Sequence, residues 1–490
     1  MNNIYIYMPF RKSKKIVRKR KRKNTTKKLK KKSIKRGGGV GPSRPSKASP
    51  PTVKTSKASK ASKASKLMTP IPELSTIKSV SSVSDILPIG NSTIIPDLSS
   101  IEKFEPFGPP SNNGFIHLVT TNDNMKAILK STQTLEQKEG YLMKPDNLMY
   151  EYLVGQYINT LNNRFPCFLQ TYGLYKYSNE STYQKLMQSK KSGDITSDDI
   201  KNIENVIVNY NNISETLNIA CKYDKHIAIL LQYLPNIESI SSMLEKNKLT
   251  ERDLITSLYQ IYFVLNVLKY EFTHYDLHAR NVQLYKVPGN KYIQYHYHSS
   301  SENVVSFKSK YLVKIIDYSR CFFIQDRTLS SIIVSHKLKG AKNCISISDK
   351  NKPAGYDFGF HWLTPEAPPK NETERKEQHF IVSTQLNMSH DLRLLSDIKE
   401  HFKHKKDDKS SLNKFLNQVD YINKYGTPEK EKKIKKEDKI IFNVSSAEKG
   451  LNNIITNHTK YNEVPPETSE LLCTLDINSN GRDMKMTLPE

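Results

Sequence analysis

The sequence predicts an α+β fold whose folded part lies within residues 101–460 of the 490-residue chain. M-K-A-I-L-K at residues 125–130 and H-I-A-I-L-L-Q-Y-L at residues 226–234 are short apolar runs typical of strands. Residues 145–162 lie between them and have the apolar spacing of a helix. A second helix is indicated by apolar residues three and four positions apart, at Leu254, Leu258, Ile261, Leu265 and Leu268. Thr250 and Asp253 form a plausible capping pair at its start.

Positive charge is concentrated in the N-terminal part of the chain. Residues 1–72 contain 24 Lys or Arg and no Asp or Glu. Of the formal net charge of +27, this segment therefore accounts for +24, which leaves +3 for residues 73–490. Because like charges at this density repel one another, we expect residues 1–72 to form a disordered basic tail. A Ser- and Pro-rich linker over residues 73–100 is expected to follow it.

The basic tail has the composition of a polyanion-binding segment. Residues 11–36 include 17 basic side chains, and S-K-A repeats continue toward residue 66. Residues 11–66 would bind nucleic acid or acidic proteins without sequence preference, through release of counterions. No aromatic residue follows Phe10 within the tail, so base stacking is not indicated. The alternative is a solvated tail with a nuclear-import-like patch.

Cysteine usage and hydropathy exclude several classes of protein. The five cysteines are scattered and form no C-x-x-C pair, which disfavours a disulfide framework and a zinc site and suits a reducing compartment. No apolar run approaches the roughly 18 residues needed for a membrane span. The charges follow rather than precede the mildly apolar residues 1–10, so a signal peptide and secretion are not expected.

The most informative stretch is H-Y-D-L-H-A-R-N at residues 274–281, between the second helix and a predicted strand. Asp276 is a short carboxylate that can accept a proton from a nearby hydroxyl. The amide oxygen of Asn281, five residues later, suits a hard cation. The spacing alone does not distinguish a catalytic loop from a chance combination of these residues in an Asn-rich chain.

Other candidate residues lie in distinct predicted elements. Lys130 ends a strand, and Glu151 lies on the inward face of the 145–162 helix, where a buried acid requires a cation. Asp317 directly follows the apolar run Y-L-V-K-I-I, and Asp391 lies in a helical pattern at residues 389–398. A second candidate, Asp357, lies in the sequence D-F-G at residues 357–359. No apolar strand precedes it, so we favour Asp317 over Asp357 as the carboxylate of the site.

In this order the five residues Lys130, Glu151, Asp276, Asn281 and Asp317 resemble the catalytic elements of the protein-kinase superfamily. The resemblance is closest to serine/threonine protein kinases of nucleocytoplasmic large DNA viruses, of iridovirus type. It implies a bilobal kinase-like fold. Residues 101–234 would form a β-rich N-lobe, residues 235–460 a mainly helical C-lobe, and residues 461–490 a poorly ordered tail.

The resemblance also implies roles for particular side chains. Asp276 would be the catalytic base, and Asn281 with Asp317 would hold Mg²⁺. Glu151 would orient Lys130 toward the phosphates of ATP. His274, His278 and Asp391 would support the catalytic loop. Further contacts to ATP would come from the glycine-rich loop and the segment joining the lobes, through Phe107, Gly108, Gly114, Phe115, Gln232 and Leu234.

The expected activity is phosphorylation of protein hydroxyl groups by a serine/threonine kinase. The resemblance further implies a location in the host-cell cytoplasm or nucleus, with packaging in the virion as an additional expectation. Tyr275 replaces the arginine of the kinase H-R-D motif, Ser319 replaces the glycine of D-F-G, and the glycine-rich loop is degenerate. His278 stands at the position of a phosphate-binding lysine. A small-molecule kinase of aminoglycoside or choline type, and a catalytically silent kinase fold that binds polyanions, remain alternatives.

Overall fold

The computed structural model describes residues 87–90, 98–107, 114–132, 148–189, 194–207, 226–324, 386–402, 410–419 and 440–489. These residues belong to one compact unit. The predicted basic tail and most of the predicted linker lie outside the described residues, as does the D-F-G at 357–359. Within the described ranges, no helix is long and apolar enough to cross a membrane.

The N-terminal part is built on a six-stranded sheet with the strand order β1-β2-β3-β6-β4-β5. Its strands are β1 (Ile101–Pro106), β2 (Phe115–Thr121), β3 (Lys126–Ser131), β4 (Thr171–Tyr177), β5 (Ile203–Asn205) and β6 (Ile227–Gln232). All neighbouring strands are antiparallel. The α-helices described within this N-terminal part are α1 (Leu148–Asn159), α2 (Glu180–Gln188) and α3 (Ser197–Ile200).

Alternation of side chains along β3 gives the sheet two different faces. Ala127 and Leu129 are fully buried in one hydrophobic cluster, together with Phe115 and Leu230 from the adjoining strands. Lys130 therefore lies on the opposite face. That face is covered by α1, whose Val154 and Ile158 belong to the larger hydrophobic core of the molecule.

The C-terminal part combines helices with three small sheets. Its described helices are α4 (Ile240–Glu245), α5 (Glu251–Val267), α6 (Arg393–Phe402), α7 (Ser411–Asn417) and α8 (Val444–Thr456). Its described strands are β7 (Ile237–Ser239), β8 (Phe272–Thr273), β9 (Val282–Lys286), β10 (Lys291–His298), β11 (Val304–Ser309), β12 (Tyr311–Ile315), β13 (Phe322–Phe323), β14 (Glu470–Asn478) and β15 (Lys485–Thr487). The strand orders are β12-β9-β7, β13-β8 and β11-β10-β14-β15. This part is richer in strand than the mainly helical lobe that was predicted.

Helix α5 is the buried centre of this region. It begins with the predicted capping box, in which the side chains of Thr250 and Asp253 each accept a hydrogen bond from the other residue's backbone N–H. Leu254, Leu258 and Ile261 are fully buried along it. The helix ends just before the strand β8 and the 274–281 loop, so its packing fixes where that loop begins.

One prediction about the C-terminal residues was wrong. The antiparallel pair β10–β11 precedes them in the chain. Residues 461–490, predicted as a poorly ordered tail, contain β14, which pairs in parallel with β10, and β15. The alternating sequence L-L-C-T-L-D-I-N explains this, because Cys473, Leu475 and Ile477 are buried on one face of β14.

The histidines of β10, His296 and His298, are bonded to neighbouring strands of the same sheet. His296 bonds to the Ser306 hydroxyl at 2.7 Å, and His298 lies 3.0 Å from Asp476 on β14. Both imidazoles therefore have partners in the sheet.

Candidate functional site

The site is centred on Lys130, the lysine of β3. Its Nζ lies 2.7 Å from Glu151 Oε2 on α1 and 3.4 Å from Asp317 Oδ1, which follows β12. Glu151 is only 2 % exposed. Three elements that are far apart in the chain thus place one cation between two carboxylates, and the predicted Lys130–Glu151 pair is present.

The Glu151 side chain faces the sheet because α1 lies very close to β4. Gly155, one helical turn after Glu151, packs against Thr171 with no room for a side chain. The Asn159 side chain also donates to the Thr171 carbonyl at 2.7 Å and accepts from its N–H at 3.0 Å. Burial raises the pKa of Glu151 to about 7, although the charge of Lys130 acts in the opposite direction.

Asp317 has a backbone conformation that is uncommon for a residue other than glycine. Its φ is +68°, in the left-handed region, and its carboxylate accepts a hydrogen bond from Ser319 Oγ at 3.1 Å. Burial by itself would raise the pKa of Asp317, but the nearby charges of Lys130 and Arg320 outweigh it and hold that pKa well below its ordinary range. The Asp317 side chain is therefore an anion at neutral pH.

The 274–281 loop is joined to the Asp317 segment by backbone and side-chain hydrogen bonds. Asn281 Nδ2 donates to the carbonyl of Asp276 at 3.0 Å, and the Ile316 N–H donates to the carbonyl of Asn281 at 3.0 Å. The Asp276 N–H donates to His274 Nδ1 at 3.2 Å. His274 Nε2 must then carry the proton, and it donates to the Ile316 carbonyl at 3.0 Å. Asp276, Asn281 and Asp317 therefore belong to one hydrogen-bonded unit.

Asp391 stabilises the backbone of the 274–281 loop. Its carboxylate accepts hydrogen bonds from the backbone N–H groups of His274 at 2.9 Å and Tyr275 at 3.0 Å. Burial raises the pKa of Asp391 to about 7, against the opposing effect of these two donors. Tyr275 has φ +63° and packs against His390. A bulky residue in the left-handed region is strained, and such strain is concentrated at functional sites.

The carboxylate of Asp276 has partners that the sequence did not suggest. Arg393 Nη1 lies 2.6 Å and Arg320 Nη1 lies 3.4 Å from Asp276 Oδ1, and His278 Nε2 lies 3.8 Å from the same oxygen. Arg320 follows Asp317 by three residues and Arg393 follows Asp391 by two. Only this proximity to two predicted aspartates could have identified the arginines, because neither lies in a motif of its own.

Burial also changes the protonation of His278. It lowers the pKa of His278 to about 4, which leaves the imidazole neutral near pH 7. His278 lies at the edge of a pocket of 380 Å³ that Ser241, Arg280, Arg393 and Asp397 also line. The pocket thus opens beside Asp276, next to the residues that hold its carboxylate.

The predicted glycine-rich loop is only partly described. Phe107 packs edge-on against Tyr233, and Gly108 lies outside the described residues. Gly114 has φ +155°. The prediction that Phe115 contacts ATP was wrong. Phe115 opposes Ser131 across β2 and β3, so its ring enters the hydrophobic cluster on the face opposite Lys130.

The segment predicted to join the lobes, which includes Gln232 and Leu234, follows Leu231 of β6. Leu231 pairs with Ile128 of β3, so its side chain lies on the same face of the sheet as Lys130. Gln232 is bonded to Gln170 through its backbone N–H at 2.9 Å and its side-chain Oε1 at 3.4 Å. Leu234 is buried in the main core. Gln232 and Leu234 therefore serve the packing between the two parts of the chain.

Asn281 and Asp317 are chemically suited to Mg²⁺. The Asn281 amide donates through Nδ2, which leaves its oxygen as the atom for a cation, and the Asp317 carboxylate is anionic. Mg²⁺ is commonly bound by one or two such oxygen donors, with phosphate oxygens and waters completing the shell. The described ranges contain no cluster of three or more His, Cys, Asp or Glu that could hold a metal by themselves. These donors therefore fit a magnesium–nucleotide complex better than a free-standing metal site.

Comparisons with known proteins give little further information. No protein-family model matches the sequence, and no curated protein matches it. Among solved structures, the chain is similar to one in the CAK complex from Chaetomium thermophilum bound to ATP-γ-S, with 11 % identity and a TM-score of 0.26. The match covers 47 % of this chain and about half, 49 %, of that chain. A similarity of this size does not establish a family.

Proposed function

We propose that this protein is an ATP- and Mg²⁺-dependent phosphotransferase that acts on hydroxyl groups, as a serine/threonine protein kinase. The observation that carries the proposal is the placement of Lys130 between Glu151 and Asp317, at 2.7 Å and 3.4 Å. A lysine that is held by one buried carboxylate and faces a second carboxylate suits an anionic ligand that is accompanied by a cation.

Each polar side chain has a distinct part in the proposed reaction. Lys130, oriented by Glu151, binds the α- and β-phosphates of ATP. Asn281 and Asp317 hold Mg²⁺, which when bound neutralises charge on the phosphate oxygens. Asp276 accepts the proton of the acceptor hydroxyl as its oxygen attacks the γ-phosphorus. Since little covalent chemistry is required of the protein, positioning and charge stabilisation supply most of the rate.

The hydrogen bonds of the 274–281 loop support this assignment. Asp391 accepts from the N–H groups of the two residues before Asp276, His274 accepts from the Asp276 N–H, and Asn281 donates to the Asp276 carbonyl. A catalytic carboxylate must be held within about 0.5 Å of its working position, and a loop bonded at this many points can do so. A fold that only bound polyanions would have no use for such a network.

Two substitutions test the proposal. Asp276→Asn retains the size of the side chain but cannot accept the proton, so we expect phosphotransfer to fall by about 10²–10⁴-fold. Lys130→Met should abolish Mg²⁺-dependent ATP binding in calorimetry. Asp476→Asn is the matched control, because Asp476 pairs with His298 on a sheet away from the site.

Assays with labelled ATP should offer casein, then aminoglycosides and choline, as acceptors. Labelled phosphoserine or phosphothreonine supports the protein-kinase assignment, whereas transfer to a small molecule alone supports the other kinase class. Wild-type protein that neither binds ATP nor transfers phosphate would leave the silent, polyanion-binding alternative.

The basic tail supports a second, separate proposal. We propose that residues 11–66 bind nucleic acid or acidic proteins, on the ground that residues 1–72 carry 24 basic and no acidic side chains. Deletion of residues 1–72 should abolish DNA binding in a fluorescence-anisotropy titration and leave phosphotransfer unchanged. Equal affinity for DNA after the deletion would contradict it.

A further inference from the structure

Asp276 Oδ1 is surrounded by three nitrogen-bearing side chains. Arg393 at 2.6 Å and Arg320 at 3.4 Å form ion pairs with it, and His278 lies 3.8 Å away. Arg320 is both the more distant and the more exposed of the two arginines, with 22 % of its side chain exposed against 16 % for Arg393. Arg320 is therefore the arginine that can turn to another anion at the smaller cost.

The two arginines approach Asp276 from different elements. Arg393 is the first residue of α6, close to Asp391, and lines the 380 Å³ pocket. Arg320 ends the 3₁₀ turn Tyr318–Arg320 that directly follows Asp317. Its charge acts on Asp317 as well as on Asp276. Arg320 therefore contacts the carboxylate assigned to the acceptor and follows the carboxylate assigned to the metal by three residues.

In the proposed reaction, the phosphoryl group passes from the nucleotide, whose metal is held by Asp317, to the acceptor hydroxyl beside Asp276. The acceptor oxygen forms a bond to the γ-phosphorus while the bond from that phosphorus to the β,γ-bridging oxygen breaks. ADP leaves with the electron pair of the broken bond, and the hydroxyl proton passes to Asp276. The charge on the three equatorial oxygens of the phosphoryl group requires a cation in the transition state.

Of the side chains near Asp276, only the arginines can supply that cation. Among the described residues no lysine forms an ion pair with Asp276, and the neutral imidazole of His278 carries no charge near pH 7. A guanidinium group remains protonated and can donate two parallel hydrogen bonds to phosphoryl oxygens.

We infer that Arg320 is a further catalytic residue, which leaves Asp276 and binds the transferring phosphoryl group, while Arg393 remains on Asp276 as a positioning residue. This inference rests on the proposed function and adds to it a source of positive charge. Exchange of the Arg320–Asp276 contact for the phosphoryl group leaves Asp276 with Arg393 and frees the carboxylate to take the acceptor proton.

A transition-state mimic tests Arg320 without knowledge of the acceptor. Calorimetry should compare binding of Mg²⁺-ADP with binding of Mg²⁺-ADP plus aluminium fluoride, a planar analogue of the phosphoryl group. Arg320→Met should lose about 10²-fold or more of the additional affinity given by aluminium fluoride, beyond any change in its affinity for Mg²⁺-ADP, since one charge-stabilising donor is worth this much. Arg320→Lys should recover part of it, and the exposed Arg482→Met is the control.

A rescue experiment separates a charge effect from a structural one. His278 Nε2 lies 3.8 Å from the same carboxylate oxygen, so His278→Lys in the Arg320→Met background places a new cation in this region and should restore much of the turnover. Arg320→Met with wild-type affinity for the mimic and wild-type turnover would overturn the inference while leaving the phosphotransferase intact. If the wild type itself neither binds ATP nor transfers phosphate, the proposed function fails, and the role of Arg320 falls with it.

Discussion

Gly155→Ala is expected to damage the site from a distance. A Cβ atom at position 155 would lie 2.2 Å from Thr171 Oγ1, 2.7 Å from Thr171 Cβ and 3.0 Å from Thr171 Cγ2. Rotation of the threonine can remove its hydroxyl from this contact but not its Cβ. Helix α1 must therefore move away from β4 by about 1 Å to reach an ordinary separation of 3.5–4 Å.

The expected loss of stability is small and the expected loss of activity is large. Overpacking of a core contact costs about 1–3 kcal/mol, and replacing a helical glycine by alanine returns about 1 kcal/mol. The free energy of unfolding should therefore fall by about 0–2 kcal/mol. The same movement carries Glu151 away from Lys130, now 2.7 Å apart. A misplacement of about 1 Å can reduce turnover by about 10²-fold.

Urea unfolding, ATP calorimetry and phosphotransfer assays on one set of variants measure both effects. Thr171→Gly removes the side chain that the new methyl group meets, so the double variant Gly155→Ala/Thr171→Gly should regain turnover relative to Gly155→Ala alone. Thr171→Gly by itself is the control for the cost of glycine in a strand. If Gly155→Ala keeps turnover within about 2-fold of wild type, helix position does not control the Lys130–Glu151 pair in the way inferred.

Three other predictions concern particular contacts. Burial lowers the pKa of His117 to about 4, and its ring nitrogens have no hydrogen-bond partner within the described ranges. Since the folded pKa lies below the unfolded value of 6.5, this histidine should destabilise the protein as pH falls from 6.5 to about 4, by about 3 kcal/mol in all. His117→Phe should remove that loss, measured as urea midpoints at pH 7.5 and 4.5, and an unchanged acid sensitivity would refute it. Asp391→Ala leaves two buried N–H groups unpaired and should cost about 3 kcal/mol and most of the turnover; a loss of stability below about 1 kcal/mol would contradict the bracing role. Leu475→Ala should cost about 2–5 kcal/mol in chemical unfolding, whereas the exposed Leu488→Ala should change it by less than about 0.5 kcal/mol; equal effects would show that β14 is not part of the core.

The elements that carry the site were largely predictable because their patterns are local. The 3.6-residue period of α5 and its Thr250–Asp253 cap can be recognised from one continuous stretch of sequence. Lys130 could be placed because it lies near the end of the strand β3, and Asp317 because it follows the apolar strand β12 by two residues. The pairing of Lys130 with Glu151 followed from the cost of burying an acid without a cation.

What the sequence did not reveal depends on contacts between distant segments. The place of β14 beside β10 is set by strand pairing across nearly two hundred residues, which no local pattern encodes. The face to which Phe115 points is fixed by its register with Ser131. Arg320 and Arg393 meet at Asp276 only because the 3₁₀ turn and α6 converge there.

The parallel pairing of β10 with β14 has a consequence for synthesis of the chain. The aromatic side chains Tyr295 and Tyr297 leave the ribosome long before Leu475 and Ile477, which pair with them. During that interval an apolar strand edge is unpaired, and such edges promote association with other chains. Slow formation of long-range contacts should make this step late in folding. Recovery of native protein from cells should therefore depend more on chaperone capacity than its final stability would suggest.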